Sequence, residues 1–225
     1  MQASIVRPVK KPLDFENLLQ RTRIDAVNDP DDVVALRALC AQASAVADPR
    51  AMYTVLPIDA HGEDFIECGD IRFTSALVAK NLAECEVCVP HVATCGMELK
   101  VWAHGYDADF LAQFWAEEIM LAYLGQAIEA LRDEVAVWVF SGAQYATMSP
   151  GSLDVWPLAE QVPMFRSLGG VTDYIGVTLT REFLMVPAKT ISGLFFTNER
   201  GYINCKLCPR ERCPNRRADY DPDSA

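Results

Sequence analysis

Apolar residues recur along this chain at two periods, and the switches between them divide it into elements. Val33, Leu36, Leu39, Cys40 and Ala43 follow helical spacing. Asp29 is placed to cap that helix, Pro30 suits its first position, and the acids at 31 and 32 complement its dipole. A helical turn or two is expected from Asp14 to Arg21, and a strand from Ala51 to Ile58. Thr74 to Leu82 reads as a short helix capped by Thr74 or Ser75. Val87 to Thr94 alternates and is rich in β-branched residues, so it reads as a strand.

The longest regular pattern starts at Asp107 or Asp109 and runs to about Asp133. Phe110, Phe114, Leu121, Leu124, Ile128 and Leu131 trace its apolar face, widened by Trp115 and Ile119. Val135 to Phe140 is a dense apolar run that reads as a strand, and Ser149-Pro150-Gly151-Ser152 is a turn. Leu158 to Leu168 reads as a helix opened by Pro157 and closed by Gly169-Gly170, with Pro163 predicting a kink or a late start. Three short strands follow, at Gly176 to Leu179, Phe183 to Pro187 and Ile191 to Asn198. Strands this closely spaced pair antiparallel, so the pattern predicts an α+β fold and not a doubly wound sheet. The expected organisation is an N-terminal arm (1–28), a main domain (29–204), a cysteine-rich motif (205–217) and a disordered acidic tail (218–225).

Composition narrows the function classes. The chain has 225 residues, 51% of them apolar, enough for a sizeable core. The basic N-terminus is not followed by the apolar core of a signal peptide, and no stretch reaches the roughly 18 apolar residues of a membrane span. A cytoplasmic protein is expected. The net charge of −11 argues against nucleic acid and against an anionic membrane surface as partners.

Eight cysteines change the picture. In a reducing compartment, clustered cysteines bind metal or do redox chemistry more often than they form structural disulfides. Cys205, Cys208 and Cys213 form one cluster, in Cys205-Lys206-Leu207-Cys208-Pro209-Arg210-Glu211-Arg212-Cys213. A Cys-x-x-Cys pair lets two thiolates converge on zinc at ~2.3 Å, and iron–sulfur clusters use similar runs. The segment 205–217 holds five basic residues against one acid, so it is +4 while the remainder carries −15. Nearby positive charge favours thiolates. A fourth ligand is required, and Cys85, Cys88 and Cys95 are the candidates. Cys40 and Cys68 read as small apolar residues. His61, His91 and His104 lack zinc-ligand spacing, and no Walker loop, Gly-x-Gly-x-x-Gly or Gly-x-Ser-x-Gly is present. No catalytic residue is assigned.

A family resemblance rests on a series of short motifs in order: Val92-Ala93-Thr94-Cys95-Gly96 before the long helix; Ser149-Pro150-Gly151; Trp156-Pro157-Leu158 with Gln161, Phe165 and Leu168; Gly176-Val177-Thr178-Leu179-Thr180; Met185-Val186-Pro187-Ala188-Lys189; and Ile191-Ser192-Gly193. Over about residues 70–204 the chain resembles the activation domain of cobalamin-dependent methionine synthase. The resemblance implies a curved, mainly antiparallel sheet with helices, S-adenosylmethionine binding, and a corrinoid protein or corrinoid methyltransferase as partner. In that family an Arg-x-x-Pro-Gly-Tyr stretch contacts S-adenosylmethionine. Here Pro150 and Gly151 keep the turn, but Thr147 stands for the arginine and Ser152 for the tyrosine, and Tyr202 matches a late tyrosine. Thr147 cannot hold a carboxylate bidentately as arginine does, which puts that ligand in question. Pro150, Gly151, Ser152 and Tyr202 are the implied ligand contacts.

Three readings follow. The chain is an accessory protein that assists reductive activation of a corrinoid protein, with an iron–sulfur cluster on the tail. It is a non-catalytic module for a corrinoid, a nucleoside or a partner, with structural zinc. Or it is a component of an S-adenosylmethionine-dependent methyltransferase.

Overall fold

The computed structural model describes residues 3–198, 201–213 and 216–221. The first half comprises β1 (Ser4–Val6), α1 (Phe15–Thr22), α2 (Pro30–Val46), β2 (Arg50–Tyr53), β3 (Leu56–Pro57), β4 (Ala60–His61), β5 (Phe65–Cys68), β6 (Ile71–Thr74), α3 (Ala76–Asn81) and β7 (Val87–Thr94). Then come α4 (Met97–His104), α5 (Phe110–Trp138), β8 (Tyr145–Met148), a 3-10 turn at Leu158–Glu160, α6 (Gln161–Leu168) and α7 (Val171–Ile175). β9 (Thr178–Leu179), β10 (Met185–Val186), β11 (Thr190–Thr197) and α8 (Asn204–Leu207) complete the order.

The central sheet is antiparallel, in the order β1-β2-β7-β11-β8, with β3 also on β7. A meander β4-β5-β6 and a hairpin β9-β10 stand beside it. The α+β architecture matches the expectation from strand spacing. β7 matches its predicted bounds; because both sheet faces are covered, nearly every residue in it is buried.

Alternate residues of β7 face opposite sides of the sheet, and Val92 joins a third, smaller core with Met52, Leu168 and Val171. Val89 and Ala93 face α1, α2, α4 and α5 with Leu36, Leu99, Ile119 and Leu131. Cys88 faces the other way, with Phe73, Val78, Trp156, Leu194 and Phe196. His91 lies on the α5 side, its ring stacked on Phe195 at 3.9 Å between centroids. Burial pulls its pKa down to about 3, so it is neutral in the fold.

The structure corrects three expectations. First, α5 buries Trp115, Ile119, Leu124 and Leu131 of its predicted face, but completes the buried stripe with Ala112, Ala116, Met120, Tyr123, Ala127 and Val135. Phe110 is 86% exposed and Phe114 37%. Apolar weight favoured the large side chains, whereas close packing uses alanines, which let the helix approach its neighbours. Second, Val135 to Phe140 is not a strand. α5 continues to Trp138, and the amides of Val139 and Phe140 bond the Val135 carbonyl at 3.0 and 3.1 Å. An established helix propagates cheaply through a short β-branched run. Third, Asp29 makes no capping bond to α2; its carboxylate accepts the Asp25 amide at 3.1 Å.

Other signals held. Asp109 caps α5, accepting the amides of Leu111 and Ala112 at 3.1 and 3.0 Å. Ser75 caps α3. Pro163 falls in the first turn of α6, a late start where its missing N–H costs nothing. No helix among the described residues is long and apolar enough to cross a membrane. Of the expected disordered tail, residues 222–225 lie outside the described residues, as do 214 and 215 of the cysteine-rich motif.

Candidate functional site

The Pro-Gly turn leaves the sheet at the end of β8, its edge strand. The Ser152 amide bonds the Ser149 carbonyl at 3.1 Å, closing the turn. Gly151 has φ +76°, and a Cβ there would lie 2.8 Å from Leu158 Cδ1. The positive φ favours glycine here, and a side chain would in addition have to displace Leu158. Its amide bonds the Trp156 carbonyl at 2.8 Å, and Trp156 is 1% exposed in the second core. Across β8, Gly193 of β11 also has no room for a side chain. A Cβ would come 2.4 Å from the Met148 carbonyl oxygen and 3.1 Å from Ser149 Oγ.

The tail returns to the same place. The Tyr202 amide donates to Asn198 Oδ1 at 2.7 Å, and the Tyr202 hydroxyl donates to Asn204 Oδ1 at 2.8 Å. Ser152 Oγ lies 2.7 Å from the Ser149 carbonyl and 3.3 Å from that same Asn204 oxygen. Asn204 thus joins two residues singled out in the sequence, Ser152 and Tyr202, without having been singled out itself. Burial holds the Tyr202 phenol well above its ordinary pKa.

Beyond α8 the cysteine loop is organised by one side chain. The Arg216 guanidinium donates to the carbonyls of Cys205 (3.1 Å), Cys208 (3.1 Å) and Ala218 (3.0 Å), and also to that of Arg210. The Cys205 sulfur accepts the Arg217 amide at 3.4 Å. The sequence marked Arg216 as local positive charge; its role as a clasp carried no signal. Cys205, Cys208 and Cys213 are all half-buried.

Between turn and loop lies a groove of about 1030 Å³. Gly151, Ser152 and Asp154 line one side, Cys208, Arg210 and Tyr220 the other, with Lys80 of α3. The two features read separately in the sequence, the Pro-Gly turn and the cysteine motif, are therefore walls of one space. Its dimensions suit a small molecule with an apolar body, against Leu77, Leu153 and Leu207, and polar ends. Thr147 takes no part. Its neighbours Ala146 and Met148 face the second core, so Thr147 faces α5. Its Oγ1 is buried with no hydrogen-bond partner among the described residues.

Soft thiol donors in a cationic loop suit zinc or an iron–sulfur cluster chemically. Among the described residues, however, no three His, Cys, Asp or Glu side chains converge on a point that could hold an ion. The fourth-ligand candidates are divided. Cys85 and Cys88 belong to the second core, against which Cys208 packs. Cys95 is buried in the first core, and burial pushes its thiol up to about 12.

The fold is similar to that of a solved structure, the MetH reactivation domain bound to AdoHcy. The match has a TM-score of 0.66 and 15% identity, over 90% of this chain and 80% of that one. The chain thus has the fold that its sequence resemblance implied. No protein-family model matches the sequence, and no curated protein matches it.

Proposed function

We propose that this chain is an accessory protein of corrinoid-dependent methyl transfer, assisting the reductive activation of a corrinoid protein. The observation that carries this reading is the fold shared, over nearly the whole chain, with a reactivation domain solved with AdoHcy. In this reading the groove between Gly151-Ser152 and the cysteine loop takes the sulfur nucleoside, S-adenosylmethionine or AdoHcy. Pro150, which is buried, holds the turn, and Tyr202 fixes Asn204 behind Ser152. Without an arginine at 147, the ligand's amino-acid end is left to other groups, and binding is expected to be weaker than an arginine clamp would give. Calorimetry with AdoHcy tests this; no heat at millimolar ligand overturns it.

Cys205, Cys208 and Cys213 are the proposed metal ligands. A bound iron–sulfur cluster would supply one-electron redox chemistry there. A second reading is favoured by the packing of Leu207 and Cys208 against the second core. In it the tail binds zinc and staples the C-terminal segment to a non-catalytic binding module. Anaerobic purification with metal analysis separates the two. Charge-transfer absorbance bleached by dithionite supports the cluster, and a colourless protein with stoichiometric zinc ends it. Cys208→Ser is expected to lower metal content in either case. Unchanged metal removes Cys208 from the site.

A further inference from the structure

Four of the eight cysteines lie inside the fold, and two of those face each other. Cys68 ends β5 in the meander, and Cys88 lies in β7 of the central sheet. Their sulfurs are 3.6 Å apart. Cys88 is fully buried and Cys68 only 4% exposed. Cys68 nevertheless lines an open pocket of about 430 Å³, together with Asp59, Asp70 and Arg166. The pair is therefore asymmetric: Cys68 borders this pocket and Cys88 does not.

We propose that Cys68 and Cys88 are a redox modification site, an oxidisable dithiol that closes into a disulfide bonding the meander to the central sheet. The site is independent of the corrinoid reading and of the tail cysteines. The geometry assigns the roles. Cys68, on the pocket, is the attacking sulfur, and Cys88 resolves. The protonation preferences agree with these roles. The hydrogen bond from Cys88 holds the Cys68 thiol below its ordinary pKa, although burial and Asp59 oppose this. The same bond, with burial and the neighbouring sulfurs of Cys68 and Cys85, holds the Cys88 proton on. A thiolate is the reactive form.

With hydrogen peroxide as the oxidant, the chemistry balances in two steps. The Cys68 thiolate attacks one peroxide oxygen. The O–O bond breaks, hydroxide leaves and takes a proton to become water, and Cys68 becomes a sulfenic acid. The Cys88 sulfur, giving up its proton, then attacks the Cys68 sulfur. The S–O bond breaks and a second water leaves. Each sulfur loses one electron, and the peroxide gains two. A dithiol reductant reverses the change by thiol–disulfide exchange. The two sulfurs must close from 3.6 Å to the ~2.05 Å of a disulfide.

The test treats the full native chain briefly with hydrogen peroxide, alkylates remaining thiols and maps peptides by mass spectrometry. The expected product is a Cys68–Cys88 cross-linked peptide lighter by two hydrogens, restored by dithiothreitol, in a protein whose melting temperature has risen by several degrees. In Cys88→Ser the reaction is expected to stop at a sulfenic acid on Cys68, trapped by dimedone. If both residues stay alkylatable while the tail cysteines oxidise, the proposal fails. It also fails if the wild-type Cys68 proceeds to sulfinic acid without a cross-link. Should Cys88→Ser not fold, the wild-type peptide map decides alone.

Discussion

The internal cysteines and the tail cysteines share an element and little else. Cys68, Cys85, Cys88 and Cys95 are buried by apolar neighbours on both sides of a sheet. Cys205, at α8, and Cys208 and Cys213 beyond it sit in a segment whose carbonyls gather around one guanidinium. The first set cannot move without disturbing a core that many residues define together. The second can be rearranged by replacing one cation. A metal that recruits the tail thiols would compete with Arg216 and leave the sheet untouched. An oxidant that reaches Cys68 acts on the scaffold itself.

Variants of each region sharpen this contrast. Trp156→Ala empties a nearly fully buried site in the second core and is expected to cost about 3–5 kcal/mol in chemical denaturation. A cost near zero would mean that this core does not hold the turn. Gly193→Ala drives a Cβ against a backbone oxygen and is expected to cost about 2–3 kcal/mol, the upper end for overpacking. His91 gives a pH signature. Its folded pKa of about 3 lies below its ordinary 6.5, so its contribution is fully present above pH 6.5 and is lost as pH falls toward 3. Linkage puts the loss at about 2 kcal/mol by pH 5. His91→Phe, which keeps the stack on Phe195, is expected to flatten that limb of the stability profile. Arg216→Gln is expected to change global stability by about 1 kcal/mol or less. Limited proteolysis should then cut the segment from Cys208 to Cys213 faster while the sheet stays protected. Protection unchanged in the loop would show that the clasp holds nothing.

What was legible in the sequence depended on whether a local rule was enough. β7 could be read from Val87 to Thr94 because its β-branched run is flanked by polar residues and turns. The caps at Asp109 and Ser75 act within their own helix turn. The alanines in the stripe buried by α5 were missed because they carry little apolar weight and their value appears only against a neighbour. The hairpin β5-β6 was missed because its four-residue strands are short; pairing across the Gly69-Asp70 turn sets them. For the site, Gly151 and Ser152 were legible as a turn and Cys208 as a thiol. That they face each other across one groove was not legible, since long-range contacts place them there. Asn204 and Arg216 are common residue types whose roles come from the atoms around them, and no spacing rule announces that.

The place of β7 in the sheet has a consequence for time. One side of the strand pairs with β2 and β3, which precede it, and the other with β11, where Thr94 meets Thr190 96 residues later. A chain emerging from the ribosome makes the first set of pairings long before the second exists. Until β11 arrives, the eight-residue centre of the sheet is an edge, with its amides and carbonyls unpaired along one side. Contacts so distant in sequence close slowly. Folding of this protein is therefore expected to be slow and late, with its last long strand committing the sheet.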